Sequence, residues 1–278
     1  SFRIEPASNL CKISKINGIK AFNGFLNNNN IKKIKKNADL ILASNVFAHA
    51  DDLEMMAKCM LKLLSKNGVL IIEVQSLMNT IKNLTFDNIY HEHFNYWSLT
   101  SLEFFFSKLN VNIFKAKKIK THGGSLRIYV SKNNNLKKDL SLKVLLKEEE
   151  KFGIKKYSTF KKFESKIIKI KKNVKKNVSL IKSNYKKIIG YGAPAKASTS
   201  LNYFNLSEEI DLIIEDNKLK QGKLIPGVNI PIVSKKNVKT NNSAMIIFPW
   251  NYYKEIKKKN NHLSKKIYNF KDLFTNFR

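Results

Sequence analysis

The sequence predicts an α/β protein with two sheets, the second smaller and Rossmann-like. Three observations carry that prediction. Apolar runs of strand length recur at 38–44, 69–74, 188–191 and 243–248. Parallel strands covered on both faces read this way. Between the runs lie stretches with apolar residues three and four apart, the spacing of amphipathic helices. The length of 278 residues and the 43% hydrophobic content are enough to build more than one core.

Taken in order, Phe2-Arg3-Ile4-Glu5 is the end of a strand that stops at an acid, and Pro6 starts a helix through Asn17. Residues 19–22 are a short strand, and the Asn-Lys segment 27–37 is a loop or surface helix. Residues 38–44 form a strand buried on both faces. Asp51 and Asp52 cap a helix through Leu64, with Leu53, Met56, Ala57, Met60, Leu61 and Leu64 on one face. Asn67-Gly68 stops it, and residues 69–74 are the next strand, which makes a parallel crossover unit. An irregular insertion covers 75–98. A helix over 100–109, capped by Ser98 or Thr100, leads to strands over 111–119 and 125–130, joined as an antiparallel pair. The division expected is a first domain over 1–132, a helical linker over 133–186 and a second domain over 187–278. In the second domain, strand 188–191 runs into a glycine turn, and further strands lie at 211–216, 243–248 and 267–270.

The net charge is +31, from 52 Lys and Arg against 21 Asp and Glu. Only Arg3, Arg127 and Arg278 are arginine, and the lysines are scattered among many Asn and Ile residues. A nucleic-acid reader leans on Arg, whose fork matches phosphate and guanine. The charge therefore reads as a genome-wide composition bias with solvated lysines, and no specific nucleic-acid partner is expected. A basic nucleic-acid-binding protein stays as the alternative. No apolar run reaches about 18 residues, so no membrane span is expected. Acids at 148–150 and 164 argue against a membrane-surface helix. Cys11 and Cys59 are too few for a disulfide framework or a multi-cysteine zinc site. With no signal peptide and a start at Ser1, the expectation is a cytoplasmic protein lacking its beginning.

Several residues could carry chemistry. Glu5, an acid at a strand end, suits ribose hydroxyls in nucleotide-binding α/β folds. Ser44, Asn45 and His49 lie beyond the carboxyl end of strand 38–44, where open parallel sheets bind ligands. Tyr90-His91-Glu92-His93 places two imidazoles and a carboxylate within four residues. Helical zinc motifs put two His four apart, so the general-base reading fits better, with Glu92 or Tyr90 orienting the ring. His122-Gly123-Gly124-Ser125 with Arg127 is a polar cluster at a turn. Gly190-x-Gly192-x-x-Ala195, followed by Glu215, is a weak dinucleotide fingerprint, and Pro194 and Lys196 suit an anion such as a diphosphate better. A nicotinamide-dependent sugar-modifying enzyme is the reading this turn keeps open.

Together these segments resemble the sugar C-methyltransferase family. The resemblance rests on Ile4-Glu5-Pro6-Ala7-Ser8-Asn9, Asn45-Val46-Phe47-Ala48-His49 and Phe86-Asp87-Asn88-Ile89-Tyr90-His91-Glu92-His93-Phe94. It rests equally on His122-Gly123-Gly124-Ser125-Leu126-Arg127, Gly190-Tyr191-Gly192-Ala193-Pro194-Ala195-Lys196, Lys220-Gln221-Gly222-Lys223, Pro226-Gly227 with Ile230-Pro231-Ile232, and Phe248-Pro249-Trp250-Asn251. It implies a class I methyltransferase sheet, incomplete at its start, plus a C-terminal α/β Rossmann-like domain. It implies S-adenosylmethionine as cofactor and a nucleotide-diphosphate 4-keto-deoxysugar as substrate. The family's zinc-binding N-terminal domain, first strand and glycine-rich loop have no counterpart in this sequence. By resemblance, His93 is the base, with Glu92, Tyr90 and His49 positioning or stabilising. Glu5, Pro6, Ser44, Asn45 and Val46 line the cofactor site. His122, Gly124, Ser125, Arg127, Tyr191 and Lys196 contact the substrate, and no metal takes part in the transfer.

Overall fold

The apolar runs become the strands of three sheets in the computed structural model, which describes residues 1–34, 37–133, 135–238, 241–264 and 266–275. Two units result. One comprises residues 1–78 and 94–154, the other residues 79–93 and 155–278.

The first unit opens with β1 (Phe2–Glu5), α1 (Ser8–Ile16) and β2 (Lys20–Asn23), and the two strands pair in parallel. α2 (Asn28–Ile31) is one turn, capped by the Asn27 side chain, which accepts from the Asn29 and Asn30 N–H groups. β3 (Ala38–Ser44), α3 (Leu53–Leu63) and β4 (Leu64–Gln75) form the crossover, with Asp52 accepting from the Met55 N–H at 2.9 Å. α4 (Leu77–Lys82) leads out of the unit, and α5 (Leu99–Lys108), β5 (Asn112–Ile119), β6 (Ser125–Ser131) and α6 (Leu140–Phe152) complete it. The sheet order is β3-β4-β6-β5, with β3 parallel to β4 and β6 antiparallel to both its neighbours. Leu70 and Ile72 of β4, Ile128 of β6, and Leu102 and Phe106 of α5 centre its core.

A helix start leaves four N–H groups without intrahelical partners. In α5 all four are answered. The Leu99 and Thr100 N–H groups donate to the two oxygens of Glu149 at 2.7 and 2.8 Å. The Ser98 N–H donates to Ser101 Oγ and the Ser101 N–H to Ser98 Oγ, both at 3.0 Å.

Three expectations change here. Strand 38–44 is not buried on both faces: Leu40 and Leu42 are 55% and 65% exposed. β3 is an edge strand, and only its Ile41–Ala43 side meets α3 and the core. Gly68 does not stop a helix. α3 ends at Leu63, β4 begins directly, and Gly68 lies within the strand, where a Cβ would meet the Ala38 carbonyl oxygen at 2.8 Å. The insertion over 75–98 is not wholly irregular, since it holds α4 and a short turn at Phe86–Asn88.

The second unit contains α7 (Tyr157–Asn184), β7 (Lys187–Tyr191), α8 (Ala195–Phe204), β8 (Leu212–Ile214), β9 (Ile232–Val233), β10 (Ser243–Ile247), α9 (Tyr253–Asn260) and β11 (Lys266–Asn269). Its five strands are all parallel, in the order β11-β10-β7-β8-β9. Strand alternation divides the buried residues. Ile188, Ile213, Ala244 and Ile246 join a core with α7 and α8. Ile189, Tyr191, Ile214, Met245 and Ile247 join another with α9. The chain builds outward from β7 to β9, then returns to place β10 on the other side of β7. The strand order therefore reverses between β7 and β10, and ligands of such sheets bind beyond the carboxyl ends at that switch point.

Candidate active site

In the first unit, the expected cofactor residues lie at the carboxyl ends of β1 and β3, strands of two separate sheets. Glu5 ends β1 with its side chain largely buried. Its Oε1 accepts from the Ala7 N–H at 3.1 Å, and Arg3 pairs with Oε2. Pro6 is exposed, and its carbonyl accepts from Asn23 Nδ2. Ser44 is exposed at the end of β3. Asn45 takes a left-handed conformation, φ +54°, and donates its N–H to the Glu73 carbonyl. Val46 then starts the turn Phe47–His49. Fully buried Phe47 stacks on Trp97 and Phe106 with ring centroids 5.6 and 6.0 Å apart, which anchors the turn and leaves His49 exposed.

The turn between β5 and β6 is the other expected polar cluster of this unit. His122 is exposed with φ +52°, and Gly124 has φ +118°. Ser125 is fully buried, with its hydroxyl donating to the Thr121 carbonyl. Arg127 pairs with Glu73, its cross-strand neighbour in the β4–β6 register. The bond to Glu73 pushes the guanidinium pKa up still further.

The Tyr90–His93 motif belongs to the second unit. Phe86 fixes this segment by packing on Tyr203, Phe204 and Phe274, with centroids 5.5, 5.3 and 6.1 Å away. The Ile89 N–H donates to the Phe86 carbonyl, and the His93 N–H to the Tyr90 carbonyl. His93 Nδ1 lies 2.7 Å from the Asn88 carbonyl oxygen. A carbonyl only accepts, so Nδ1 carries the proton and Nε2 presents a lone pair. The Tyr90 hydroxyl lies 3.2 Å from that Nε2, its ring tilted against the imidazole at a centroid distance of 4.2 Å. Glu92 is exposed and approaches His91, at 3.9 Å, so Tyr90 rather than Glu92 orients the His93 ring.

At the switch point of the second sheet, the glycine turn is used structurally. Gly192 has φ +83°, and a Cβ there would meet Pro249 at 2.5 Å. Glu215 braces the turn. Its Oε2 accepts from the Ala193 N–H at 2.8 Å and its Oε1 from the Asn217 N–H at 2.9 Å. The Tyr191 hydroxyl donates to Asp216 at 2.7 Å, and burial with that carboxylate raises its pKa. Lys196, at the start of α8, lays its Nζ 4.6 Å from the centre of the Trp250 ring. That Nζ is buried without a hydrogen-bond partner among the described residues.

Sequence reasoning assigned no role to the group gathered there. Trp250 Nε1 donates to Asp87 Oδ2 at 2.6 Å, and Lys271 Nζ sits 4.1 Å from the Trp250 ring centre. Asp87 is 2% exposed. Burial pushes its carboxyl pKa up, against the pull of Lys196, Trp250 and Lys271. Burial pushes both lysines below their usual range, and Asp87 opposes this in each. Asp87 and Trp250 stood inside the recognised motifs. However, a pairing across 163 residues has no signature in local sequence. Among the described residues, no three His, Cys, Asp or Glu side chains gather as metal ligands. Among them also, no helix is long and apolar enough to cross a membrane.

Comparison with known proteins agrees with this architecture. A family described as the C-methyltransferase C-terminal domain matches residues 120–270, and one described as a methyltransferase domain matches residues 4–115. The chain is similar to the C-methyltransferase NovU of Streptomyces niveus, at 28% identity over 261 residues, covering 91% of this chain. It spans 62% of that relative's length. Among solved structures, a methyltransferase of Thermotoga maritima, described as a possible histamine N-methyltransferase, has 17% identity and a TM-score of 0.39 over 48% of this chain and 73% of its own. An S-adenosylmethionine-dependent methyltransferase of Clostridium acetobutylicum has 12% identity and a TM-score of 0.37 over 47% of this chain and 74% of its own. The first family match lies over the α/β unit whose switch point is described above, and it takes in more than half of the sequence: the chain belongs to the C-methyltransferase family.

Proposed function

We propose that this chain takes part in S-adenosylmethionine-dependent C-methylation of a nucleotide-diphosphate-linked 4-keto-deoxysugar, with His93 as the general base. The observation that carries this reading is the pair of bonds on the His93 ring. The Asn88 carbonyl holds the proton on Nδ1, and the Tyr90 hydroxyl aligns the lone pair of Nε2. Once the Tyr90 hydroxyl turns off Nε2, that lone pair can take the proton from the carbon beside the sugar ketone. The electrons of that C–H bond pass into the enolate, and the Tyr90 hydroxyl is placed to support the imidazolium that forms.

The residues at the ends of β1 and β3 fit an adenosyl group. The Glu5 carboxylate, oriented by Arg3 and the Ala7 N–H, keeps lone pairs for two ribose hydroxyls. Ser44, Asn45 and Val46 lie at the end of β3. When bound, S-adenosylmethionine supplies an electrophilic methyl group for the enolate carbon. His49 stands with the same unit as a stabilising group. Of the expected substrate residues, the His122–Gly124 turn of the first unit is the part kept for the sugar nucleotide. In this division, the His122–Gly124 backbone meets the ligand, while Ser125, Arg127 and Tyr191 brace the strand ends. The test is transfer of a labelled methyl group from S-adenosylmethionine to such a sugar, with the new C–CH3 bond located by NMR. Methylation of oxygen or nitrogen only, or no transfer to any nucleotide-linked ketosugar, would overturn the reading.

A further inference from the structure

The switch-point crevice of a doubly wound sheet ordinarily receives a ligand, often its phosphates. In the second unit this crevice is bounded by the turn after β7, which carries Gly192 and Lys196, and by Pro249-Trp250 after β10. An anion already stands there, and it comes from the chain itself. Asp87 reaches Trp250 Nε1 at 2.6 Å, and Lys196 and Lys271 both lie over the same indole ring. The Glu215 carboxylate is turned onto the glycine-turn backbone, and Asp216 accepts from the Tyr191 hydroxyl.

We propose that this crevice is a socket for the protein's own Asp87, and that Asp87 and Trp250 are positioning residues for His93. The connection is short. Asp87 precedes Asn88, whose carbonyl oxygen holds the proton on His93 Nδ1. Phe86, on the other side, is buried against Phe204 and Tyr203. Fixing the Asp87 side chain on the indole N–H therefore fixes the carbonyl that sets the tautomer of the base. An indole N–H can only donate, so its bond to Asp87 has one direction and one acceptor. Lys271 adds a tie of its own, because its Nζ also donates to the Asn83 carbonyl at 3.2 Å, earlier in the same segment. The Rossmann-like unit thus holds the segment of the proposed base at its switch point, through an indole N–H after β10.

This inference rests on His93 being the base, so its test has two readouts. In the whole chain labelled with 15N-histidine, the His93 signal is identified among the five histidines by its loss in His93→Gln. The expected wild-type signal is the Nδ1–H tautomer. In Asp87→Ala the signal shifts away from that form, and Asp87→Asn, which keeps a tethered oxygen acceptor for the Trp250 N–H, retains more of it. For methyl transfer, Asp87→Ala lowers kcat by roughly 10²-fold, the cost of misplacing a reacting group by about 1 Å, and leaves KM within about twofold. Trp250→Phe removes the N–H alone and gives the same changes in smaller degree. It also serves if Asp87→Ala does not fold. An unchanged His93 signal in either folded variant overturns the proposal. If the wild-type chain transfers no methyl group, the tautomer readout still decides the socket, and the loss falls on the functional reading instead.

Discussion

Glu149→Ala is the sharpest test of how the first unit is held together. Glu149 is 2% exposed, yet its carboxylate accepts three hydrogen bonds at the start of α5: the Leu99 and Thr100 N–H groups and the Thr100 hydroxyl at 2.7 Å. Truncation orphans two backbone donors, at about 1–3 kcal/mol each. It also removes a negative charge from a helix N-terminus, worth about 0.3–1 kcal/mol or more when partly buried. The expected loss is about 4 kcal/mol, a large share of the roughly 5–15 kcal/mol that holds a domain folded. The assay is urea unfolding followed by Trp97 fluorescence in a Trp250→Phe background, since Trp97 lies in the first unit's core. With a slope of about 2 kcal/mol/M, the midpoint falls by about 2 M. Glu149→Gln keeps one acceptor oxygen and loses about half as much. A Glu149→Ala midpoint within about 0.5 M of its parent would refute the reasoning.

Three further outcomes follow from the second unit. Gly192→Ala combines a left-handed φ with a Cβ 2.5 Å from Pro249. It should destabilise the unit by about 2–4 kcal/mol, read as a lower Tm by calorimetry, and an unchanged Tm would show that the turn relaxes freely. Asn177 is 1% exposed, and its Nδ2 donates to the Leu273 and Thr275 carbonyls at 3.0 and 2.6 Å. Asn177→Ala should cost about 1–3 kcal/mol and open the C-terminal segment to carboxypeptidase, and equal digestion rates would count against this tie. Lys196 and Lys271 have lowered pKa values in the folded state. Below the ordinary lysine value of about 10.4, the unfolded chain then binds more protons than the folded one, so their contribution to stability rises with pH in that window. As pH approaches the ordinary lysine value from below, the rise should be smaller in Lys196→Met, and a slope equal to wild type would remove Lys196 from the account.

Much of the fold was legible because its signals are local. The apolar runs at 188–191 and 243–248 became β7 and β10, and the Ser98 cap and the Asp52 cap are where the side-chain chemistry puts them. Edge positions were not legible. Leu40 to Ala43 are all apolar, and nothing within that run marks Leu40 and Leu42 as exposed. Gly68 carries the same letters as a helix stop, but a carbonyl 30 residues earlier decides its place. Glu149, read only as an acid interrupting lysines, is a buried cap because α5 ends up beneath it.

The candidate site divides in the same way. His93 and Tyr90 could be picked out from residue type and spacing, and the geometry brings their side chains together. Glu92 could not be separated from Tyr90 as the orienting group, since adjacent residues in a turn point in different directions. Arg127 and Tyr191 look like ligand-binding residues in sequence, but Glu73 and Asp216 face them across neighbouring strands. Asp87 drew no assignment because its partners lie 109 to 184 residues away, on elements that only the folded sheet brings near.

The central claim is that His93 Nε2 removes the proton beside the ketone. Hydrogen exchange tests it directly. A nucleotide-linked 4-keto-deoxysugar is incubated in D2O with the protein and without methyl donor, and deuterium at the adjacent carbon is followed by NMR. The account predicts exchange by the wild type and a loss of roughly 10²- to 10⁴-fold in a folded His93→Asn variant. Exchange at the wild-type rate by that variant would contradict it.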